Sequence, residues 1–249
     1  MIRPANIAVI GAAVVTGALP LTGCESSQHK SRRLERESRN KLQHAKGLVV
    51  KRENPDVRIV STATLRDENG TAVVVRMRNV GKAALAQLPV AVELDDARGR
   101  ALYKNDTPGL ETSLVQAAML SEGGELWWVN DQVTASTRPA KVKARVGEAK
   151  PASGKAPRIE LRGARVAVDP VDGISVKGQA INRSNIDQRR LVIHCVAFKG
   201  KRVVAAGRAI IERLRPGKPA HFTIFFIGDP RGARLTLAAP PTNLRPGRS

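Results

Sequence analysis

From Val57 onward the chain alternates apolar with polar residues at a period of two, and this restricts it to half-buried strands rather than helices. Val73, Val75 and Met77 interleave with Val74, Arg76 and Arg78, and Val90, Val92 and Leu94 repeat the pattern up to a turn at Asp95-Asp96-Ala97-Arg98-Gly99. Asp67-Glu68-Asn69-Gly70 ends in the Asn-Gly pair that favours tight hairpins. Further strands are expected over Leu114–Leu120, Glu125–Val129 and Lys141–Val146. About seven short strands in roughly 90 residues suit a two-sheet antiparallel sandwich. Adjacent strand residues face opposite ways, so one ring of Trp127-Trp128 belongs in the core and the other outside.

Gly147 to Pro157 is a linker by composition, and beyond it the same plan recurs. Asn79 lies nine residues before Leu88, and Asn182 nine before Leu191. At that offset of 103, Val73 matches Val176, Val90 matches Ile193 and Val92 matches Cys195. Gly123 matches Gly217 at an offset of 94, which gives the first copy the longer middle loop around Lys104–Leu110. The expectation is an all-β chain with two tandem Ig-like, fibronectin III-like antiparallel β-sandwiches. Its divisions are a leader over 1–23, a basic tether over 24–54, sandwiches over 55–146 and 157–240, a linker over 147–156 and a disordered tail over 241–249.

The second copy carries a family resemblance. Val176-Lys177-Gly178-Gln179-Ala180-Ile181-Asn182-Arg183-Ser184, the run Leu191–Phe198, and Leu214-Arg215-Pro216-Gly217 with Phe222 resemble the FxLYD-type Ig-like repeat. The five-letter string itself is absent, and Ala197-Phe198-Lys199-Gly200 stands in its place. The shared motifs are structural: a strand-ending Asn and a Pro-Gly turn. The resemblance implies an exported, often lipid-anchored accessory domain without chemistry of its own.

The first 24 residues read as an address. Met1-Ile2-Arg3 is a short positive start, Ile7 to Leu21 is a 15-residue run without a charge, and polar residues follow Cys24. The run is shorter than the ~18–20 residues of a spanning helix, which suits a signal-peptide core. Leu21-Thr22-Gly23-Cys24 resembles the lipobox of bacterial lipoproteins, which implies cleavage before Cys24, lipid on its thiol and an extracytoplasmic position on the cell membrane or envelope. Two acyl chains would anchor the protein stably, where one binds reversibly. The tether beyond is rich in helix formers, with Glu35–Arg39 and Glu37–Lys41 as i,i+4 pairs of only ~0.2–0.5 kcal/mol each. It suits either a spacer or a basic arm lying on anionic lipid.

The formal charge is +20, but unevenly spread. Residues 55–146 carry 12 basic and 11 acidic side chains, whereas residues 157–240 carry 16 and 6. An exported chain with so few aromatics is not a nucleic-acid binder; an anionic lipid or envelope polymer is the expected counterpart. In an Ig-like sandwich, loops 182–190 and 228–232 would emerge at one end, gathering Arg183, Arg189, Arg190 and Arg231 into a phosphate- or carboxylate-binding cluster. No metal site or cofactor is expected, since the four histidines and two cysteines lack ligand spacing. His194 is out of phase with Ile193 and Cys195 and is expected to face solvent, while Cys195 is expected to be a small buried hydrophobe. No nucleophile elbow, phosphate loop or carboxylate pair is present, so a non-enzymatic role is expected. Two readings stand: an adhesion or scaffolding module with an unidentified protein partner, or an accessory ligand-binding subunit of an envelope transport or assembly complex.

Overall fold

Residues 47–152, 154, 156–171 and 173–244 are described by the computed structural model. The leader, Cys24 and the tether as far as residue 46 lie outside the described residues, as does the tail from residue 245. Among the described residues the chain is all β, with antiparallel sheets, one short 3-10 turn at Thr112–Leu114 and no α-helix. No helix among them is long and apolar enough to cross a membrane.

The first copy runs β1 (Val57–Asp67), β2 (Gly70–Asn79), β3 (Leu85–Asp95), β4 (Ala101–Lys104), β5 (Gln116–Leu120), β6 (Glu125–Val133), β7 (Lys141–Val146) and β8 (Lys150–Pro151). One sheet is β1-β2-β6. The other is built on β3, with β4 and β7 along its C-terminal half and β5 and β8 along its N-terminal half. The second copy runs β9 (Ile159–Asp169), β10 (Gly173–Asn182), β11 (Gln188–Lys199), β12 (Arg202–Leu214), β13 (Pro219–Phe225), β14 (Ile227–Gly228) and β15 (Arg234–Ala238). Its sheets are β9-β10-β13 and β14-β12-β11-β15. Each sandwich closes on its own core. In the first, Val73, Val75, Met77, Leu88, Leu94 and Trp128 surround one cluster; in the second, Val176, Leu191, Ile193, Cys195, Phe222 and Ile224 do the same.

The repeat extends to individual hydrogen bonds. Asn79 and Asn182 end β2 and β10 and are fully buried. The Asn79 amide donates to Ala83 O at 2.8 Å and Leu120 O at 3.4 Å, and the Asn182 amide to Ile186 O at 2.7 Å and Leu214 O at 3.1 Å. Each side-chain oxygen accepts the backbone N–H two residues on, from Gly81 and from Ser184. This Asn ties a strand end to its loop and to the end of a neighbouring strand, satisfying carbonyls that burial would otherwise leave bare. Gly123 and Gly217 turn the following loop at φ +64° and +66°, a region that other residues enter at a cost.

The residues between the copies do not form a free span throughout. Gly147 N–H donates to Pro89 O at 2.8 Å, β8 pairs with Leu85 and Ala86, and Ala152 N–H donates to Ala84 O at 2.8 Å. Residues 147–152 therefore continue the first sandwich, and both sandwiches belong to one compact unit. They meet through outward faces. Val74 and Val129 on the β1-β2-β6 sheet pack on Val196, Phe198 and Ala206 of β11 and β12, with Ala63, Leu65, Trp127 and Val203 around them. Trp128 fills the first core, and Trp127 lies in this seam, edge-on to Phe198 at 4.9 Å and beneath the Arg76 guanidinium at 5.0 Å.

Candidate functional site

The four arginines expected to share one end do not. Arg189 and Arg190 lie at the start of β11 and Arg183 in the loop before it, whereas Arg231 precedes β15, whose Arg234 pairs with Phe198 at the far end of β11. Nine residues of strand, about 30 Å, separate the two ends. The expectation treated the last two strands as a pair joined at the same end as loop 182–190. Instead β15 follows β14 directly and returns beside β11, so its preceding turn sits at the opposite end.

Each arginine also has a carboxylate. Arg183 Nε donates to Glu160 at 2.7 Å, and the Arg231 guanidinium donates to both carboxylate oxygens of Asp229. Arg189 lies 3.9 Å from Asp187. Arg190 bridges Glu212 at 3.0 Å and Glu111 at 3.1 Å, the latter on the first sandwich. The four are therefore separate ion pairs, and of them Arg190 alone pairs with a residue of the first sandwich.

At the seam a polar cluster accompanies the apolar packing. Arg208 on β12 has a side chain only 4% exposed. Its Nε donates to Asp131 Oδ1 at 2.8 Å, its Nη1 to Glu111 Oε2 at 2.9 Å and to the Ser113 hydroxyl, and its backbone N–H to Asp131 Oδ2 at 3.2 Å. Ser113 in turn donates to Glu111. Burial alone would raise the Glu111 carboxyl, but hydrogen bonds from Ser113, Arg208 and Arg190 outweigh it and hold the group down to about 2. A further clamp joins the copies where Gly228 N–H donates to Asp67 Oδ2 at 2.6 Å.

His194 sits beside this cluster and not in solvent; it is 2% exposed. Its phase does turn it away from its own core, but the face it occupies is the one the first sandwich covers. Its Nδ1 accepts the Val129 N–H at 3.2 Å, which assigns the ring proton to Nε2. Burial first, and then the charge of Arg208, push its pKa down to about 3. A neutral imidazole already committed to a backbone N–H is poorly suited to accept a proton from Ser113. Cys195, buried in the second core, has its thiol pushed up to about 12 by burial.

A cleft of about 250 Å³ opens beside the cluster, lined by Gln87, Glu111, Ser113, Arg190 and His194 among others. Gln87 and Arg190 are the two non-glycine residues with positive φ among the described residues, at +55° and +48°. They are also equivalent at the offset of 103, each at a position skipped in its strand ladder. The twist turns Arg190 toward Glu111 across the seam. No alternation pattern could have signalled this, because the strained residue interrupts the period. A larger open cleft of about 850 Å³ lies along the same seam between the Asp67–Asn69 turn and Phe225–Asp229. No group of three or more His, Cys, Asp or Glu suited to a metal ion occurs among the described residues.

No family model and no curated protein matches the chain. Among solved structures, the chain is similar to the crystal structure of red sea bream transglutaminase, at a TM-score of 0.24 and 12% identity. That alignment covers 88% of this chain and 32% of the transglutaminase chain, so this chain spans about a third of its length.

Proposed function

We propose that this protein is a non-enzymatic, lipid-anchored component of the cell envelope whose paired Ig-like sandwiches act together as a scaffolding or adhesion body. The location is supported by the sequence: the charge-free run Ile7 to Leu21 and Leu21-Thr22-Gly23-Cys24. The observation favouring a scaffold is the filled seam. Val74, Val129, Val196, Phe198 and Ala206 are buried there, and Arg208 is satisfied by acceptors of the other sandwich. A ligand-carrying subunit would be favoured by a concave apolar pocket between the sandwiches. That space is instead occupied by side chains, and the clefts beside it are open and partly polar.

Cys24→Ser tests the anchor. In cells fed labelled palmitate, the wild-type protein should carry label and sediment with membranes, and the variant should be unlabelled and accumulate as precursor or soluble protein. Membrane retention and mature mass unchanged by the substitution would overturn the proposal.

A further inference from the structure

The two copies present the same sheet face in opposite chemical states. The pairing Ala63↔Val74↔Val129 in the first sandwich has the same register as Arg165↔Lys177↔Thr223 in the second. Likewise Arg76↔Trp127 corresponds to Gln179↔His221. In the first copy this face is apolar and covered by the second copy. In the second copy Arg165, Lys177, His221 and Thr223 are exposed. Arg165 and Lys177 stand directly opposite each other across the strand pair, an arrangement that costs stability unless an anion lies between them. Neither forms an ion pair with a carboxylate among the described residues.

A bulge shapes the same spot. The β9–β10 register shifts between Lys177 and Gln179, with Gly163 at φ +61° on the facing strand. The outcome is an open groove of about 410 Å³ lined by Arg162, Arg165, Lys177, Gln179, His221 and two glycines, without one acidic residue. A second copy of this chain is a poor occupant. The face it would offer, by analogy with the seam, is the outward side of β3, where Glu93 is already held by Lys104 at 3.0 Å and Lys143 at 3.0 Å.

We infer that the β9-β10-β13 face of the second sandwich docks on an anionic phospholipid bilayer, with Arg165 and Lys177 meeting the headgroup phosphates, while Arg162 at the groove's edge is already bridged to Glu160. Guanidinium forks suit phosphate oxygens, and a basic sheet face suits an extended negative surface. The choice of a bilayer rests on the envelope reading above, and the test separates the two because it omits the lipid anchor.

The full chain carrying Cys24→Ser is sedimented with phosphatidylcholine vesicles with and without phosphatidylglycerol. Binding should require phosphatidylglycerol. Arg165→Gln/Lys177→Gln should weaken it by about fivefold per cation, on the order of thirtyfold together. Lys82→Gln/Arg138→Gln, with the same charge loss on the first sandwich, should weaken it far less. Lys177→Glu alone should weaken it further than Lys177→Gln, and the β-sheet circular dichroism of each variant should match the parent. Equal weakening by both double variants would assign the binding to overall charge and overturn the inference. So would a groove that binds glycerol phosphate in solution while its variants leave vesicle binding unchanged. A palmitate-labelled wild type with a failed vesicle assay would remove this face and leave the anchor standing; the converse result would do the reverse.

Discussion

Arg208 is the test of whether the sandwiches are held by design at their polar seam. Arg208→Met keeps an unbranched side chain of comparable reach but removes the charge and every donor. Loss of one partner of a buried ion pair costs about 3–5 kcal/mol, mostly because the other charge is left uncompensated. Here the penalty is reduced. Asp131 retains 18% side-chain exposure and the backbone N–H of residue 208, while Glu111 retains 27% exposure and Arg190. The expected loss is therefore about 2–3 kcal/mol. The apolar packing of Val74, Val129, Val196 and Phe198 is untouched, at roughly 1.5–3 kcal/mol for each large side chain buried, so the sandwiches should remain together. Urea unfolding should show a lower midpoint with an unchanged slope and a single transition. Adding Asp131→Leu should recover part of the loss, with a coupling of about 1–3 kcal/mol, because both buried charges are then gone. Arg231→Gln, which breaks an exposed pair with Asp229, should be indistinguishable from wild type. An Arg208→Met loss below about 0.5 kcal/mol, the range of ordinary surface changes, would refute the reasoning, as would strict additivity of the double variant.

His194 should impose a pH dependence on the same seam. Folding holds it neutral down to about 3, while the unfolded chain takes up a proton below ~6.5, so stability should fall as pH drops between those limits. The slope approaches about 1.4 kcal/mol per pH unit, and His194→Gln, which keeps an acceptor for Val129 N–H, should flatten it in urea titrations; parallel profiles would contradict this. Glu111, held near 2 beside Arg208, adds its own loss only below about 4.5. Asn79→Ala and Asn182→Ala should each cost about 2–4 kcal/mol in the same assay, since each strands buried carbonyls and a loop N–H. Asn185→Ala, in an exposed loop position, should leave the midpoint unchanged, and a free substitution at either buried Asn would show that the shared hydrogen bonds do not support the repeat.

The strands and the repeat were legible because both follow from short-range physics. Val73, Val75 and Met77 must share one side of β2, and the same period at Val176 and Ala180 marks the same core. Asn79 and Asn182 stood out because buried strand ends admit few polar residues, and Gly123 and Gly217 because their turns require a positive φ. The seam was not legible. A period of two divides residues into two faces but does not tell water from a second protein layer, so His194 read as solvent-facing when its face is covered. Val74 and Val129 carried the missing signal as apolar residues on the outward phase of their strands. The arginine cluster failed for another reason: it required knowing which strand β15 pairs with, a long-range choice invisible to local pattern.

Comparison of the copies separates what the fold requires from what each position in the chain adds. Inward positions keep their character: Val73 and Val176, Trp128 and Phe222, and Val92 and Cys195 are all buried. Outward positions exchange character in a consistent direction. On the β1-β2-β6 face of the first copy, Ala63, Val74, Trp127 and Val129 meet protein, whereas the equivalent Arg165, Lys177, His221 and Thr223 are exposed. On the other sheet the order reverses. His194, Val196 and Phe198 of β11 are buried against the first copy, while the equivalent positions of β3 are Ala91 and the Glu93 and Asp95 that pair with Lys104 and Lys143. Val74, Val129, Val196 and Phe198 lie on the two faces that meet, so the packing of the sandwiches is written into both copies, while Phe225 stands 54% exposed on the β9-β10-β13 face. Two faces then remain uncovered, and they differ. The β3 face pairs its carboxylates Glu93 and Asp95 with Lys104 and Lys143, whereas the β9-β10-β13 groove leaves Arg165 and Lys177 opposed without a carboxylate among the described residues. Of the two, the latter sets two cations directly opposite each other across a strand pair, a charge for a further surface to meet.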